Sequence, residues 1–326
     1  MRHFLTLKDF SKQEIIDIMC LSFSVKADFL RDRESNTKYF RNKILGMIFE
    51  KPSTRTRVSF EAGAYQLGGQ AIVLMGKDTQ IGRGEPIKDT ARVMSGMVDM
   101  IMMRTFEQEK LEEFATYSSV PIINGLTDLY HPVQVLADLM TIIECGFYTD
   151  DFKDCALEFK DCSQKKSSPI IAYVGDGNNI VHSWLYLAAL LGLEFRIACP
   201  NGYSPDEAIT QTALTLAKSS HAKISLTQDP NVAVKDCNII ITDTWISMGQ
   251  EDQKQQKIAI FKEYCVDQAL MAKASDDAIF LHCLPAYRGY EVSEEVFEGD
   301  KSKVWQEAHN RLHIQKGIMV WLQQNQ

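Results

Sequence analysis

The sequence predicts an α/β protein of two domains, each a central parallel sheet flanked by helices, with a C-terminal helix returning to the first domain. Three observations carry this. The chain has 326 residues, long for one layered core, so two domains of about 150 residues each are expected. Short apolar runs alternate with amphipathic stretches, the rhythm of parallel strands joined by helical crossovers. The polar, irregular stretch 149–168 interrupts that rhythm, which then resumes.

The elements follow in order. Ser11-Lys12-Gln13-Glu14 has the form of a capping box, and Ile15, Ile18, Met19 and Phe23 follow at helical spacing, so a first helix starts there. Ile44 to Phe49, Ala71 to Met75, Val98 to Met103 and Pro121 to Ile123 read as buried strands. Residues 54–67, 86–97 and 107–118 read as helices between them, with Gly68-Gly69 as a C-cap pair. In the second half, Ile170 to Val174, Phe195 to Cys199, Ile224 to Leu226, Ile239 to Thr242 and Ile279 to Leu281 form another strand set. The boundary is expected after the helix that starts near His131. It gives a first domain of residues 1–146, completed by a helix at about 303–326, and a second of 147–302. Near that boundary Phe152-Lys153-Asp154-Cys155 recurs as Phe159-Lys160-Asp161-Cys162, which reads as a short surface helix with both phenylalanines on one stripe.

Composition excludes several functions. A net charge of −8 and a pI near 5.5 argue against a nucleic-acid partner, which needs a basic surface to displace counterions, so any anion site must be local. With no run of 18 apolar residues and no cleavable leader, no membrane partner is expected and the chain reads as cytoplasmic. Eight cysteines without CxxC spacing read as reduced thiols. Seven histidines include no HExxH, and only His309 and His313 stand at i, i+4 without an obvious third ligand, so no metal is expected.

Reactive residue types collect just beyond the strand ends. Ser53-Thr54-Arg55-Thr56-Arg57 opens a helix after the strand ending at Phe49. Hydroxyls, free N–H groups and guanidinium groups at a helix N-terminus suit a phosphate; a capped helix with solvated arginines is the competing reading. Arg104 follows four apolar residues, and could equally be structural. In His131-Pro132-Val133-Gln134, Pro132 suits the first helical position and puts His131 at the cap, where a neutral imidazole could donate to a carbonyl oxygen or merely cap. Gly175-Asp176-Gly177-Asn178-Asn179 follows a strand but lacks the third glycine, replaced by Ile180, and the acidic residue of a dinucleotide fingerprint. Asn179 offers an amide there instead. Asp243 follows Ile239 to Thr242 and can pair with an ammonium or simply start a turn. His282-Cys283 raises three options: a nucleophile with its base, half of a metal site, or a substrate contact. Neighbours on an extended segment point to opposite faces, which disfavours the dyad. Together, anion donors on one domain and a carboxylate on the other suggest a phosphate-bearing donor and an amine acceptor.

These motifs, STRTR at 53–57, HPVQ at 131–134, DTWISMG at 243–249 and HCLP at 282–285, resemble in order and spacing those of the aspartate/ornithine carbamoyltransferase family, over nearly the whole chain. The last two argue against aspartate as acceptor. The resemblance implies a carbamoyl-phosphate domain and an amino-acid domain, assembly as a homotrimer or multiple of trimers, and transfer from carbamoyl phosphate to L-ornithine with no cofactor or metal. By resemblance, Ser53, Thr54, Arg55, Thr56, Gln80, Arg104, His131, Pro132, Val133 and Gln134 would hold carbamoyl phosphate, and Asn179, Asp243, Ser247 and Met248 would hold ornithine. Cys283, Leu284 and Arg311 would lie where the two substrates meet, with Arg55, Arg104, His131 and Cys283 the groups nearest the chemistry. Another amine such as putrescine or an N-acylornithine is the alternative acceptor, and a nicotinamide oxidoreductase or a non-catalytic binder the alternative class. The stretch 149–168 is longer than the family's pattern.

Overall fold

Ile, Val, Leu and Met crowd the strand runs because a parallel sheet is covered by helices on both faces. The computed structural model describes residues 1–76, 79–80, 84–148, 150–152, 155, 168–246, 252 and 254–326. Within the described residues, β1 (Ile44–Phe49), β2 (Gln70–Met75), β3 (Met100–Arg104) and β4 (Ile122–Leu126) form an all-parallel sheet in the order β2-β1-β3-β4. A second parallel sheet has the order β7-β6-β5-β8-β9, from β5 (Ile170–Val174), β6 (Glu194–Ala198), β7 (Lys223–Thr227), β8 (Ile239–Thr242) and β9 (Ile279–His282).

Around the first sheet lie α1 (Lys12–Arg31), α2 (Thr54–Gln66), α3 (Ile87–Ser95), α4 (Gln108–Tyr117) and α5 (Pro132–Glu144). The second sheet carries α6 (Asn179–Leu191), α7 (Glu207–Ser220), α8 (Pro230–Val234), α9 (Lys254–Phe261), α10 (Gln268–Met271) and α11 (Glu294–Phe297), and α12 (Val304–Gln324) closes the chain. The capping box at Ser11 and Glu14 forms as the sequence requires, each side chain accepting from the other residue's backbone N–H. Two strand starts shift for local reasons. Pro121 has no N–H to give a ladder, so β4 begins one residue later. Asp99 accepts the Ile44 N–H through its side chain at 2.8 Å, and the run from Val98 enters the strand only at Met100.

Among the described residues the chain divides into two compact units. One holds residues 1–137, 152, 155 and 309–326, the other 138–151 and 168–308. The division falls inside α5 and inside α12. The first unit's core packs Ile48, Ile101, Met103, Leu111, Phe114 and Ile122; the second packs Ala172, Val174, Ile240, Trp245, Phe261 and Phe280. Burying each large side chain contributes roughly 1.5–3 kcal/mol.

The C-terminal helix joins the first unit. Lys316 Nζ donates to Gln66 Oε1 of α2 at 3.0 Å, and Lys26 Nζ of α1 donates to Asn310 Oδ1 at 2.8 Å. Gly317 lets the helices touch: a Cβ there would fall 1.8 Å from Ser22 Oγ and 2.8 Å from Ser22 Cα.

One sequence expectation is corrected. Cys20 of α1 and Cys155 form a disulfide, with Cα atoms 5.1 Å apart, so these two are not the reduced thiols expected. A separation of 135 residues hides the pairing from any spacing rule. Phe152 ends a 3-10 turn (Asp150–Phe152) and is fully buried; apart from Cys155, the rest of the expected surface helix, with Phe159 and the second FKDC, lies outside the described residues.

Candidate active site

Both sheets reverse their strand order once, the first between β1 and β3, the second between β5 and β8. Open α/β sheets bind ligands beyond the carboxyl ends of the strands at such switch points. The polar motifs sit there: 53–57 after β1 and Arg104 at the end of β3, then 175–179 after β5 and Asp243 after β8.

In the first unit the donors converge on the N-terminus of α2. Ser53 Oγ caps it, accepting the Thr56 N–H at 3.2 Å. Thr56 Oγ1 accepts from Arg104 Nη1 at 3.4 Å and from Arg311 Nη2 at 3.3 Å, while Arg311 Nη1 donates to Gln134 Oε1 of α5. Thr54 and Arg55 are exposed in the first turn of α2; Pro132 and Val133 are buried in the first turn of α5. His131 is buried, and burial first, then the charges of Arg311, Arg104 and Arg55, hold its pKa well below the ordinary value. A neutral imidazole among three guanidinium groups can donate a hydrogen bond without adding to their repulsion, and those cations and the α2 N–H groups suit a phosphate-bearing anion. Gln80 is exposed, and among the described residues no hydrogen bond ties its side chain to this cluster.

In the second unit Asp243 is buried and densely held. Its Oδ2 accepts from Asn178 Nδ2 at 2.7 Å; its Oδ1 accepts from the Thr244 N–H at 2.7 Å and from the Cys283 thiol at 2.9 Å. Burial, then the Asp243 carboxylate, pushes the Cys283 thiol well above its ordinary pKa, so the sulfur keeps its proton and is a poor nucleophile. His282 cannot activate it. Its Nδ1 accepts the Leu284 N–H at 2.9 Å, which puts the ring proton on Nε2, 3.2 Å from Glu291 Oε1. Glu307 Oε2 accepts the His282 backbone N–H at 2.8 Å. Leu284, half-buried, takes a left-handed backbone with φ of 59° in this turn.

Asp243, His282 and Cys283 place potential metal-ligating atoms within 4.8 Å of one another. Hydrogen bonds already engage both nitrogens of His282 and join the other two residues to each other, so a metal there would have to break that network.

The residue that reaches Asp243 is Asn178, which the sequence reading passed over for Asn179. Asn178 caps α6 through Oδ1, which accepts the Ile180 N–H, and its position just before an apolar helix was a readable N-cap signal. Asn179 is half-buried as the first residue of α6; Ser247 and Met248 lie outside the described residues. Glu291, Glu307 and a Lys257–Asp176 ion pair were also missed, since no local pattern announces such long-range partners.

Two parallel sheets, one with a cationic cluster at its switch point and the other with a buried carboxylate at its own, are the framework of a two-domain α/β protein. The chain belongs to the aspartate/ornithine carbamoyltransferase family: residues 2–144 match its carbamoyl-P binding domain and residues 169–322 its Asp/Orn binding domain. Among curated relatives, it is 56% identical over 325 residues to an ornithine carbamoyltransferase of a Sulfurovum species, covering 100% of both chains. To that of a Nitratiruptor species it is 57% identical over 322 residues, covering 99% of this chain and 98% of the relative. The crystal structure of the anabolic ornithine carbamoyltransferase from Campylobacter jejuni superposes with a TM-score of 0.87 at 44% identity, covering 100% of both chains. That of the Pyrococcus furiosus ornithine carbamoyltransferase gives 0.87 at 41% identity, covering 97% of this chain and 95% of the other.

Proposed function

We propose that this carbamoyltransferase moves the carbamoyl group of carbamoyl phosphate to the δ-amine of L-ornithine, giving L-citrulline and phosphate. The observation that carries the proposal is the division of charge: cations gathered on Thr56 at one switch point, one buried carboxylate, Asp243, at the other. The relatives named as ornithine carbamoyltransferases along the full chain support the choice of acceptor over putrescine or an N-acylornithine.

Ser53, Thr54, Arg55 and Thr56 take the phosphate on the N-terminus of α2, and Gln80 is a further contact implied by the family resemblance. Arg104, His131, Gln134 and Arg311 face the carbamoyl group beside Pro132 and Val133, and the neutral His131 donates to the carbonyl oxygen. Asp243 and Asn179, with Ser247 and Met248, hold the amino-acid end of ornithine, and Cys283 and Leu284 border the reacting amine. The neutral δ-amine attacks the carbonyl carbon, charge builds on oxygen, the C–O bond to phosphate breaks, and the amine gives up a proton to the departing phosphate. Donors fixed in advance stabilise that charge, and registering two substrates supplies much of the remaining acceleration.

On this reading residues 1–146 with 303–326 form the carbamoyl-phosphate domain and 147–302 the ornithine domain. The protein works in the cytoplasm as a homotrimer or a multiple of trimers, without nucleic-acid or membrane partners. It serves arginine biosynthesis, in the direction of the similar anabolic Campylobacter jejuni enzyme, with the reverse reaction in arginine degradation as the alternative. Among the described residues no helix is long and apolar enough to cross a membrane. The test is direct: purified protein given carbamoyl phosphate and L-ornithine should form citrulline and phosphate in equal amounts. Absence of citrulline with both substrates saturating overturns the proposal.

A further inference from the structure

A second, half-buried carboxylate stands beside Asp243. Asp176, in the loop after β5, receives Lys257 Nζ of α9 at 2.6 Å, and the lysine side chain is 3% exposed. The two acids feel one another: burial first, then the charge of Asp243, raises the Asp176 pKa, while the bond to Lys257 lowers it. An amino-acid subsite with two uncompensated carboxylates would be mismatched to a single ammonium group.

The same pair fixes the loop that reaches Asp243. The Asp176 carbonyl accepts from the Tyr173 hydroxyl at 2.9 Å and from the Asn178 N–H at 2.8 Å; the Gly177 N–H donates to the Tyr203 carbonyl at 2.9 Å. A Cβ at Gly177 would fall 2.3 Å from Pro205 N, so the loop lies flat on residues 203–205. Lys257 passes 5.5 Å from the Tyr203 ring, and Phe261, one turn further along α9, stacks on Trp245 at 5.5 Å. One helix thus braces the loop that carries Asn178 and the segment that follows Asp243.

We propose that the Lys257–Asp176 ion pair is the positioning device of the amino-acid subsite: it braces the 175–178 loop so that Asn178 aims Asp243, and it neutralises the second carboxylate so that Asp243 alone meets the substrate ammonium. Lys257 touches neither substrate and acts through Asp176 and Asn178. The inference rests on the reading of Asp243 as the partner of the ornithine ammonium.

Steady-state kinetics on the full-length protein test it, with Lys257→Met, Lys257→Arg and the double variant Asp176→Asn/Lys257→Met, and with Asp243→Asn alongside. Lys257→Met should raise the KM for ornithine about tenfold or more, because breaking a buried pair strands a charge, and leave the KM for carbamoyl phosphate within about twofold. Lys257→Arg, which keeps the charge, should return the ornithine KM to within about threefold of the parent. Removing both buried charges is commonly tolerated, so the double variant gives a reading even if Lys257→Met does not fold; its ornithine KM should rise about three- to tenfold with the carbamoyl-phosphate KM unchanged. A parental ornithine KM in the double variant, or a parallel rise in both KM values, overturns the inference. If Asp243→Asn itself shows no selective effect on ornithine, the underlying assignment falls; if it does and the Lys257 variants do not, only the ion-pair inference falls.

Discussion

Asp243→Asn separates the two half-sites most sharply. The parent carboxylate accepts three hydrogen bonds, from Asn178, Thr244 and Cys283. Asparagine is nearly isosteric, and its oxygen can still accept from Thr244 and Cys283. Its amide then faces the Asn178 amide, donor against donor. Turning Asn178 over would relieve that clash only by giving up its acceptor bond from Ile180, a cap contributing about 1 kcal/mol. The lost ammonium–carboxylate bond is a hydrogen bond between charged groups, about 1.5–3 kcal/mol, which converts to a roughly 10- to 150-fold rise in the ornithine KM. Carbamoyl phosphate, held in the other unit, should show a KM within about twofold of the parent. The assay is initial-rate citrulline formation with each substrate varied while the other saturates, on protein whose thermal unfolding confirms the fold. Equal rises in both KM values, or no change for ornithine, would refute the assignment of Asp243.

Other consequences follow from the same geometry. Arg55→Met removes an exposed charge from the first turn of α2, so kcat/KM should fall by about two to three orders of magnitude while stability shifts by no more than about 0.5 kcal/mol; near-parental turnover would dismiss the phosphate role. Cys283→Ser should slow the reaction and weaken ornithine without abolishing turnover, and mass spectrometry of the parent during turnover should find no carbamoylated cysteine; trapping one would contradict a thiol that burial, then Asp243, keeps protonated. His313 is buried with Nδ1 unpartnered among the described residues, and burial, then the charges of Lys316, Lys26 and His309, depress its pKa to about 2. Its folded pKa lies below the unfolded one, so the stability it permits is complete above pH 6.5 and is lost as pH falls toward about 2. Denaturant unfolding should show His313→Leu losing less stability than the parent between about pH 6.5 and 4.5, by roughly 2–3 kcal/mol. Parallel pH curves would show that His313 is not held neutral.

Much of this was legible in the sequence because the relevant physics is local. β1, β5 and β8 span the residues that their apolar runs mark out, and Pro132 opens α5. The apolar runs also placed 53–57, Arg104, Asn179, Asp243 and Cys283 at or just after strand ends, where the structure has them. What escaped was contact between distant residues. Arg311 reaches Thr56 from 255 residues away, and only the family resemblance pointed to it. Periodicity marks which residues are buried, but not which partner a buried polar atom finds, so Glu291, Glu307 and Lys257 carried no signal. Asn178 was readable only through the cap rule, as the residue just before the apolar helix α6. HCLP illustrates both sides: its place at a strand end was plain, yet its work divides between a histidine that ties down the turn and a thiol turned to Asp243.

The most direct test of the central claim is a competition. The protein is mixed with 13C-labelled carbamoyl phosphate and equal concentrations of L-ornithine, putrescine, N-acetylornithine and L-aspartate, and the label is followed by NMR. The account predicts a single ureido signal, that of citrulline, growing with the release of phosphate. Label arriving chiefly on another amine, or phosphate released with no ureido product, would contradict it.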